Sequence, residues 1–365
     1  PTTMELNNTS RRIIRWLLMS ALILLPFLGW AQPVHNITSA TDYLTIQAAL
    51  SAANPYDIIE VDAGTYTEQL TITTPLTLRG AQHGVDPRPS VGSSRVISGP
   101  GESIVQQAKN KTVLTIKAND VVIDGLQFQQ SGGSGLAHAI VNDNKYTGNA
   151  FRNNIITNIT DAALRLYGGT GYVIEQNYLK TVSGDGIVLR NGNDQMTPAT
   201  DQWIINNDLD GVNGVHGAIY VYGETDLEVA GNKITSARFV GMGIGTAAAA
   251  TYYNLDNVRV HHNDVEINLE PASGRGISVG CYSNNVSIHN NRVTSASTNT
   301  GSQYVLVGVD HNSTSLATQY NPVNLSITDN YFDRSATPNE PYLFVASWIT
   351  NTVDAGCNWW GTTTP

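Results

Sequence analysis

Cysteine is nearly missing from this sequence, with only Cys281 and Cys357 in 365 residues. A disulfide framework is therefore excluded, and no zinc or haem spacing is present. Both thiols fall at apolar positions of expected strands, which predicts buried free cysteines, with one disulfide as the alternative. Long apolar runs are missing after residue 28. The one that precedes it, residues 13–28, belongs to a basic start with Arg11, Arg12 and Arg15 and leads into Gly29-Trp30-Ala31, the pattern of a secretory signal cut before Gln32. It is shorter than the roughly 20 apolar residues a spanning helix needs, and no Cys stands at the cut to carry a lipid. Export to the medium or the cell surface is expected, with no transmembrane segment after cleavage. Basic residues are scarce as well. Residues 1–31 hold three of the 20 Lys and Arg and one of the 30 Asp and Glu, so the mature chain has 17 against 29, a net of −12. Duplex nucleic acid is an unsuitable partner for such a surface, because phosphate binding needs a basic field.

What is abundant is a repeat. A pattern of apolar-x-apolar-x-x-Asn-x-apolar recurs with its asparagine at Asn154, Asn177, Asn207, Asn232, Asn263, Asn291, Asn330 and Asn358, and Leu126 holds the same slot in an earlier copy. Successive slots are 23 to 39 residues apart. A fixed strand with variable spacing is what stacked coils with loops of different length produce. Alternation on either side of the slot reads as strand, bend, strand. The bend needs left-handed backbone angles, which asparagine tolerates best after glycine, so the asparagine itself is expected to take them. Stacked every ~4.8 Å, its amides could bond up and down as a ladder.

A second strand family precedes each asparagine strand: residues 163–167 (ALRLY), 186–190 (GIVLR), 218–222 (AIYVY), 276–280 (GISVG) and 304–308 (YVLVG). Two to three strands per coil, with no helix between them, exclude βαβ and leucine-rich architectures. The expected fold is all-β, a single-stranded right-handed parallel β-helix of about 10–12 coils. Residues 45–53 (TIQAALSAA) form the one convincing helix of the mature chain, expected to plug the N-terminal end with Leu44, Ile46 and Leu50 turned inward. The chain thus divides into a signal peptide (1–31), an N-terminal cap (32–56) and the solenoid (57–365).

The order TIQAAL, DIIEV, GTYTE, LTLRG over residues 45–80, the repeats that follow and the closing CNWWG at 357–361 resemble the pectin-lyase-like superfamily. Secreted bacterial proteins with generic parallel β-helix repeats are the nearest kind. The resemblance implies the fold and leaves activity open among lyases, hydrolases, esterases, epimerases, adhesins and inert stalks. Gly64-Thr65-Tyr66-Thr67-Glu68 matches a stretch of the pectin methylesterases, but their later Asp and Arg motifs are missing, so Glu68 reads as a first-coil structural residue. No Asp-Asp pair exists for polygalacturonase-like hydrolysis. Lyases on this fold use Arg or Lys as base, often with Ca²⁺. No cofactor is required by the residues here, and Ca²⁺ is the one the resemblance would admit.

Placing the second strand family in register sets Arg165, Val188, Tyr220 and Ser278 in one outward column and Tyr167, Arg190, Tyr222 and Gly280 in the next. Asp161, Asp185, His216 and Arg275 stand at the start of those strands. Aromatic faces stack on sugar rings and arginine binds carboxylate in bidentate fashion. A polysaccharide is therefore the expected partner, with Arg165, Tyr167, Arg190, Tyr220 and Tyr222 in contact with it. His216, Arg275 and Asp185 are the candidate catalytic groups. The alternative is a catalytically silent structural or adhesin module of a longer exported protein.

Overall fold

The computed structural model describes residues 33–142, 146–190, 199–245, 255–267, 274–280, 283–295, 304–309, 321–334, 342–345, 347 and 349–361. Cys281 and the expected signal peptide lie outside them. Three strands alternate along the chain, each joining its own sheet: among the described residues sheet A has thirteen strands and sheets B and C ten each. Within a coil the chain runs A, B, C, as in Ala199–Ile205, Asp208–Val212 and Ile219–Tyr222. Neighbours within each sheet are parallel and come from successive coils. The exception is the start of sheet A, where Val34–Asn36 pairs antiparallel with both Thr41–Tyr43 and Asp57–Val61. Eleven of the thirteen strands thus belong to the parallel stack, within the expected coil number. Inward Ile, Leu and Val from all three sheets fill one continuous core.

The helix is α1, Ile46–Ala52, with Thr45 as its N-cap. Its free N-terminal amides are taken by Glu68, whose two oxygens accept from Ile46 N at 3.0 Å and Gln47 N at 2.9 Å. The methylesterase-like glutamate is thus a helix cap, where a carboxylate also meets the positive end of the helix dipole. Ile46, Ala49 and Leu50 are buried beneath the helix, but Leu44 is 61 % exposed. It precedes the N-cap, outside the helical periodicity that turns a side chain inward. The short hairpin of Val34–Asn36 and Thr41–Tyr43, which the sequence did not announce, covers the first edge of sheet A.

The bend between sheets A and B departs from expectation in one respect. The left-handed residue is the one before each asparagine: Asn153, Gln176, Asn206, Gly231, His262, Asn290, Asp329 and Cys357, with φ between 53° and 65°. Gly125 does the same before Leu126. The asparagine that follows points inward and is almost fully buried from Asn154 to Asn330. Its Oδ1 accepts the backbone N–H of the preceding coil's asparagine at 2.9–3.0 Å and that residue's Nδ2 at 2.9–3.1 Å. Its own Nδ2 also donates back to a carbonyl one coil earlier, for example Phe151 O from Asn177 and Val229 O from Asn263. The chain of bonds runs unbroken from Asn154 to Asn358. Its cause is local: at the bend the backbone leaves both sheets, and the side-chain amide supplies the acceptor that strand pairing no longer provides. Cys357, as the left-handed residue of the last bend, is exposed and free, against the expectation of a buried thiol.

A 22-residue excursion, 81–102, leaves the first coils and lies against sheet B. Arg95 and Glu102 pair within it in bidentate fashion at 2.7 and 3.0 Å, with 2 % and 3 % of their side chains exposed. Arg95 also donates to Asn153 O, and Ser90 gives both its N–H and its hydroxyl to Asp208. A loop from the first coils is thereby fastened four coils further along the solenoid.

Two predictions test this assembly. Asn291→Ala should destabilise by roughly 1–3 kcal/mol, since it orphans buried donors, whereas Asn290→Gly should be nearly neutral because glycine takes φ 54° without strain. Urea denaturation of both variants checks the assignment, which equal costs would contradict. Inside the core, Glu224 is fully buried with no hydrogen-bond partner at either oxygen, and burial pushes its carboxyl well above the usual range. An acid raised in the folded state contributes stability below its unfolded pKa that is lost as pH rises past it. Glu224→Gln should therefore match the wild type near pH 4 and exceed it in stability at pH 8, measured by the same denaturation.

Candidate functional site

The outward residues of sheet C gather over three consecutive strands, Leu164–Tyr167, Ile187–Arg190 and Ile219–Tyr222. Their register is Arg165↔Val188↔Tyr220 and Tyr167↔Arg190↔Tyr222, as the sequence suggested. Beyond Tyr220 the structure has one coil more than the sequence pattern indicates. Val240–Ile244 (VGMGI) intervenes, so Gly243 pairs with both Tyr220 and Ser278. Ser278 is thus two coils from Tyr220, and Gly280 is displaced likewise from Tyr222. Two glycines around a methionine carry too weak an alternation to be read as a strand.

Within the patch, rings and guanidiniums alternate. The Arg165 guanidinium lies 5.5 Å from the Tyr167 ring, and that of Arg190 lies 4.7 Å from Tyr167 and 5.2 Å from Tyr222. Tyr222 meets Tyr220 at 4.9 Å, and Tyr220 stacks on His216 at 4.9 Å with planes 15° apart. Tyr222 is buried to 8 % exposure. Tyr167 and Tyr222 therefore hold the arginines in place through their ring faces. The Nε of Arg165 and of Arg190 are both buried without a hydrogen-bond partner.

Two histidine–aspartate pairs flank this stack. His216 Nδ1 is 2.9 Å from Asp185 Oδ2, one coil earlier, and Asp185 also accepts the His216 backbone N–H at 3.1 Å. Asp185 holds the His216 imidazolium and raises its pKa, against the opposing effects of partial burial and Arg165. His138 Nδ1 is 3.4 Å from Asp161 Oδ2, and its Nε2 is 3.5 Å from Arg165. There burial dominates and pushes the imidazole down. His138 went unnoticed in the sequence because its coil lacks the second-family pattern; a histidine directly before an apolar strand was the available signal.

Of the three candidate catalytic residues, Asp185 and His216 meet and Arg275 stands apart. Arg275 pairs in register with Val240 and Val305, two coils beyond His216, and bonds Ser278 at 3.2 Å. Asp161 and Asp185 are both committed to histidines. Among the described residues no group of three His, Cys, Asp or Glu side chains is gathered. A separate groove of about 390 Å³ opens on sheet B between Pro89 and Ser90 of the 81–102 loop and Tyr178, Lys180, Asp208, Asp210 and Lys233. Its carboxylates are largely answered from within, Asp208 by Ser90 and Asp210 by Lys180 at 3.3 Å. The sheet C patch, with its unanswered guanidinium donors, is the stronger candidate. No helix among the described residues is long and apolar enough to cross a membrane.

The family described as "Right handed beta helix region" matches residues 138–332, just over half of the chain and all of the patch. Among solved structures, the alginate lyase from Paenibacillus sp. str. FPU-7 is 14 % identical with a TM-score of 0.45, over 85 % of this chain and 96 % of that one. The A-module of the mannuronan C-5 epimerase AlgE4 from Azotobacter vinelandii is 12 % identical with a TM-score of 0.48, over 86 % and 91 %. The polygalacturonase from Erwinia carotovora ssp. carotovora is 13 % identical with a TM-score of 0.42, over 86 % and 90 %. None of the curated proteins matches the chain. These likenesses bring no residue role across.

The two histidines should titrate on opposite sides of the ordinary value of about 6.5. In an NMR titration His216 is expected above it and His138 below. Asp185→Asn should bring His216 down, leaving burial and Arg165 to act alone. Because the raised His216 contributes stability that is full below the unfolded pKa and lost as pH rises past the folded one, Asp185→Asn should cost more stability at pH 5.5 than at pH 9. A His216 titration unmoved by the substitution would contradict the pairing.

Proposed function

The chain belongs to the right-handed β-helix family, and on that premise we propose that its sheet C face binds an acidic polysaccharide outside the cell. The observation that carries this reading is the pair of buried, unanswered Nε donors on Arg165 and Arg190. A buried donor without an acceptor costs on the order of 1–3 kcal/mol, more on a charged group. A carboxylate that draws the guanidinium outward and meets its Nε removes that cost and forms the strongest class of hydrogen bond. The two arginines stand one coil apart, ~4.8 Å, so a single acidic sugar or two linked ones can engage both. An extended chain would then run along the solenoid axis, across the coils. His216, whose pKa Asp185 raises, stands beside them on an otherwise acidic protein.

Cleavage is the weaker part of the reading. His138 and His216 are the two histidines of the face, but three coils separate them, ~14 Å along the axis. A general base and a general acid acting on one linkage each need hydrogen-bond reach of it. Binding is therefore the proposed activity, with the positive charge supplied by arginine. Export follows from residues 1–31, whose removal after Ala31 is part of the proposal.

A glycan array spanning neutral and carboxylated polymers tests it. The exported protein should begin at Gln32 by mass spectrometry and bind carboxylated chains, with affinity falling as salt rises and unchanged by EDTA. Arg190→Ala should weaken binding tenfold or more, and Tyr167→Ala by several-fold through loss of its hold on both arginines. Ultraviolet absorbance should detect no new unsaturated ends. No hit, or a hit indifferent to both substitutions, would leave a structural or adhesin module as the better reading.

A further inference from the structure

A cluster of imidazoles lies on the outer side of the A-to-B bend, away from the sheet C face. His261 ends the strand Leu255–His261, and His289, its partner in register, ends the strand Ser283–His289 one coil further. Between His261 and Asn263 stands His262, the left-handed residue of its bend. In an extended strand, neighbours in sequence point to opposite faces. The left-handed turn at His262 cancels that alternation and brings its ring back beside His261. Their Nδ1 atoms are 2.9 Å apart, with ring planes at 87°. The His289 ring lies over His261 at 5.0 Å and 12°.

The far side of His261 fixes its tautomer. Its Nε2 is 3.2 Å from Glu228 Oε1, and the other Glu228 oxygen accepts from Arg259 at 2.9 Å. Donating to Glu228 leaves the His261 Nδ1 as a lone pair aimed at His262. A carboxylate behind an imidazole in this way is the usual outer support of a metal-ligating histidine. Two nitrogens bound to one tetrahedral zinc at 2.0–2.1 Å are ~3.3 Å apart. The observed separation is a few tenths of an ångström short of that, so a small outward movement admits the ion.

We propose that His261 and His262 chelate a first-row divalent transition metal ion, Zn²⁺ or Cu²⁺, through their Nδ1 atoms. His289 supplies a third nitrogen by rotating its ring, which now holds Asn290 Nδ2 at 3.1 Å. Three ligands are not yet gathered among the described residues, so the site is two preformed nitrogens and one that arrives, with water completing the shell. All-imidazole donors select copper and zinc over calcium or magnesium. Since His289 belongs to the next coil, the bound ion clasps two coils together at the bend.

The test uses the full chain without an affinity tag, titrated calorimetrically with ZnCl₂ and with CuCl₂. One equivalent should bind at micromolar concentration and raise the melting temperature. His261→Gln and His262→Gln should each weaken binding at least tenfold, and Glu228→Gln by about tenfold. His289→Gln should abolish the rise in melting temperature, and His35→Gln in the cap should change nothing. In wild-type protein, substoichiometric Cu²⁺ should broaden the ring signals of His261, His262 and His289 before those of other histidines, a readout that requires no variant to fold. Absence of binding at 100-fold higher metal, or binding and broadening indifferent to His261 and His262, would overturn the proposal.

Discussion

Coil-to-coil repetition of one bend is the constraint on which the rest of this molecule depends. At each A-to-B corner the backbone leaves its sheet, and a buried asparagine supplies the acceptor and donors that strand pairing no longer provides. Because each amide bonds the coil before and the coil after, a shift of one coil by one residue would break bonds on both sides. Register along the whole solenoid is thereby fixed. Columns of side chains follow from fixed register, and every functional feature described above is a column or a neighbouring pair of columns. The alternating arginines and tyrosines of sheet C stand above one another for the same reason that Asn177 stands below Asn207.

The legible part of the fold was the part where physics allows little choice of residue. An inward amide at the corner has no good substitute, so asparagine recurs and betrays the repeat. The left-handed position beside it accepts Asn, Gln, Gly, His, Asp or Cys, because only its backbone matters, and no pattern marks it. With that variety the sequence pattern points to the asparagine as the left-handed residue and places Cys357 at a core position. Val240–Ile244 carries no legible alternation because Gly243 leaves the outward column empty and Gly241 gives the core face no side chain, and without it Ser278 and Gly280 fall one coil too near. Leu44 was misplaced by one step past the helix cap, and the edge-covering hairpin, with three-residue strands, offered too short a pattern to read.

The candidate site was legible in its members and not in their working relationship. Arg165, Tyr167, Arg190, Tyr220 and Tyr222 do share one face, since a period of two in each strand and a fixed register require it. What no one-dimensional pattern conveys is that the rings are occupied by the guanidiniums. Tyr167 is flanked by two arginines, so its contribution is to hold charge in position on a protein whose net charge is strongly negative. The aspartates that would repel an acidic ligand are each turned to a histidine, which confines the face's negative charge to its margins. The same bend geometry that builds the interior amide column also turns His262 back toward His261, so two separate chemistries arise from one structural device.

The central claim is that the unanswered donors of Arg165 and Arg190 are there to receive a carboxylate. A crystal structure of the protein with a bound oligouronate tests it most directly. The account predicts sugar density running along the axis over sheet C, with a carboxylate oxygen within hydrogen-bond distance of the Nε of Arg165 or Arg190 and the Tyr167 ring unmoved. Sugar seated in the sheet B groove beside Lys180 and Lys233, or an occupied sheet C with both Nε atoms still unpaired, would contradict it.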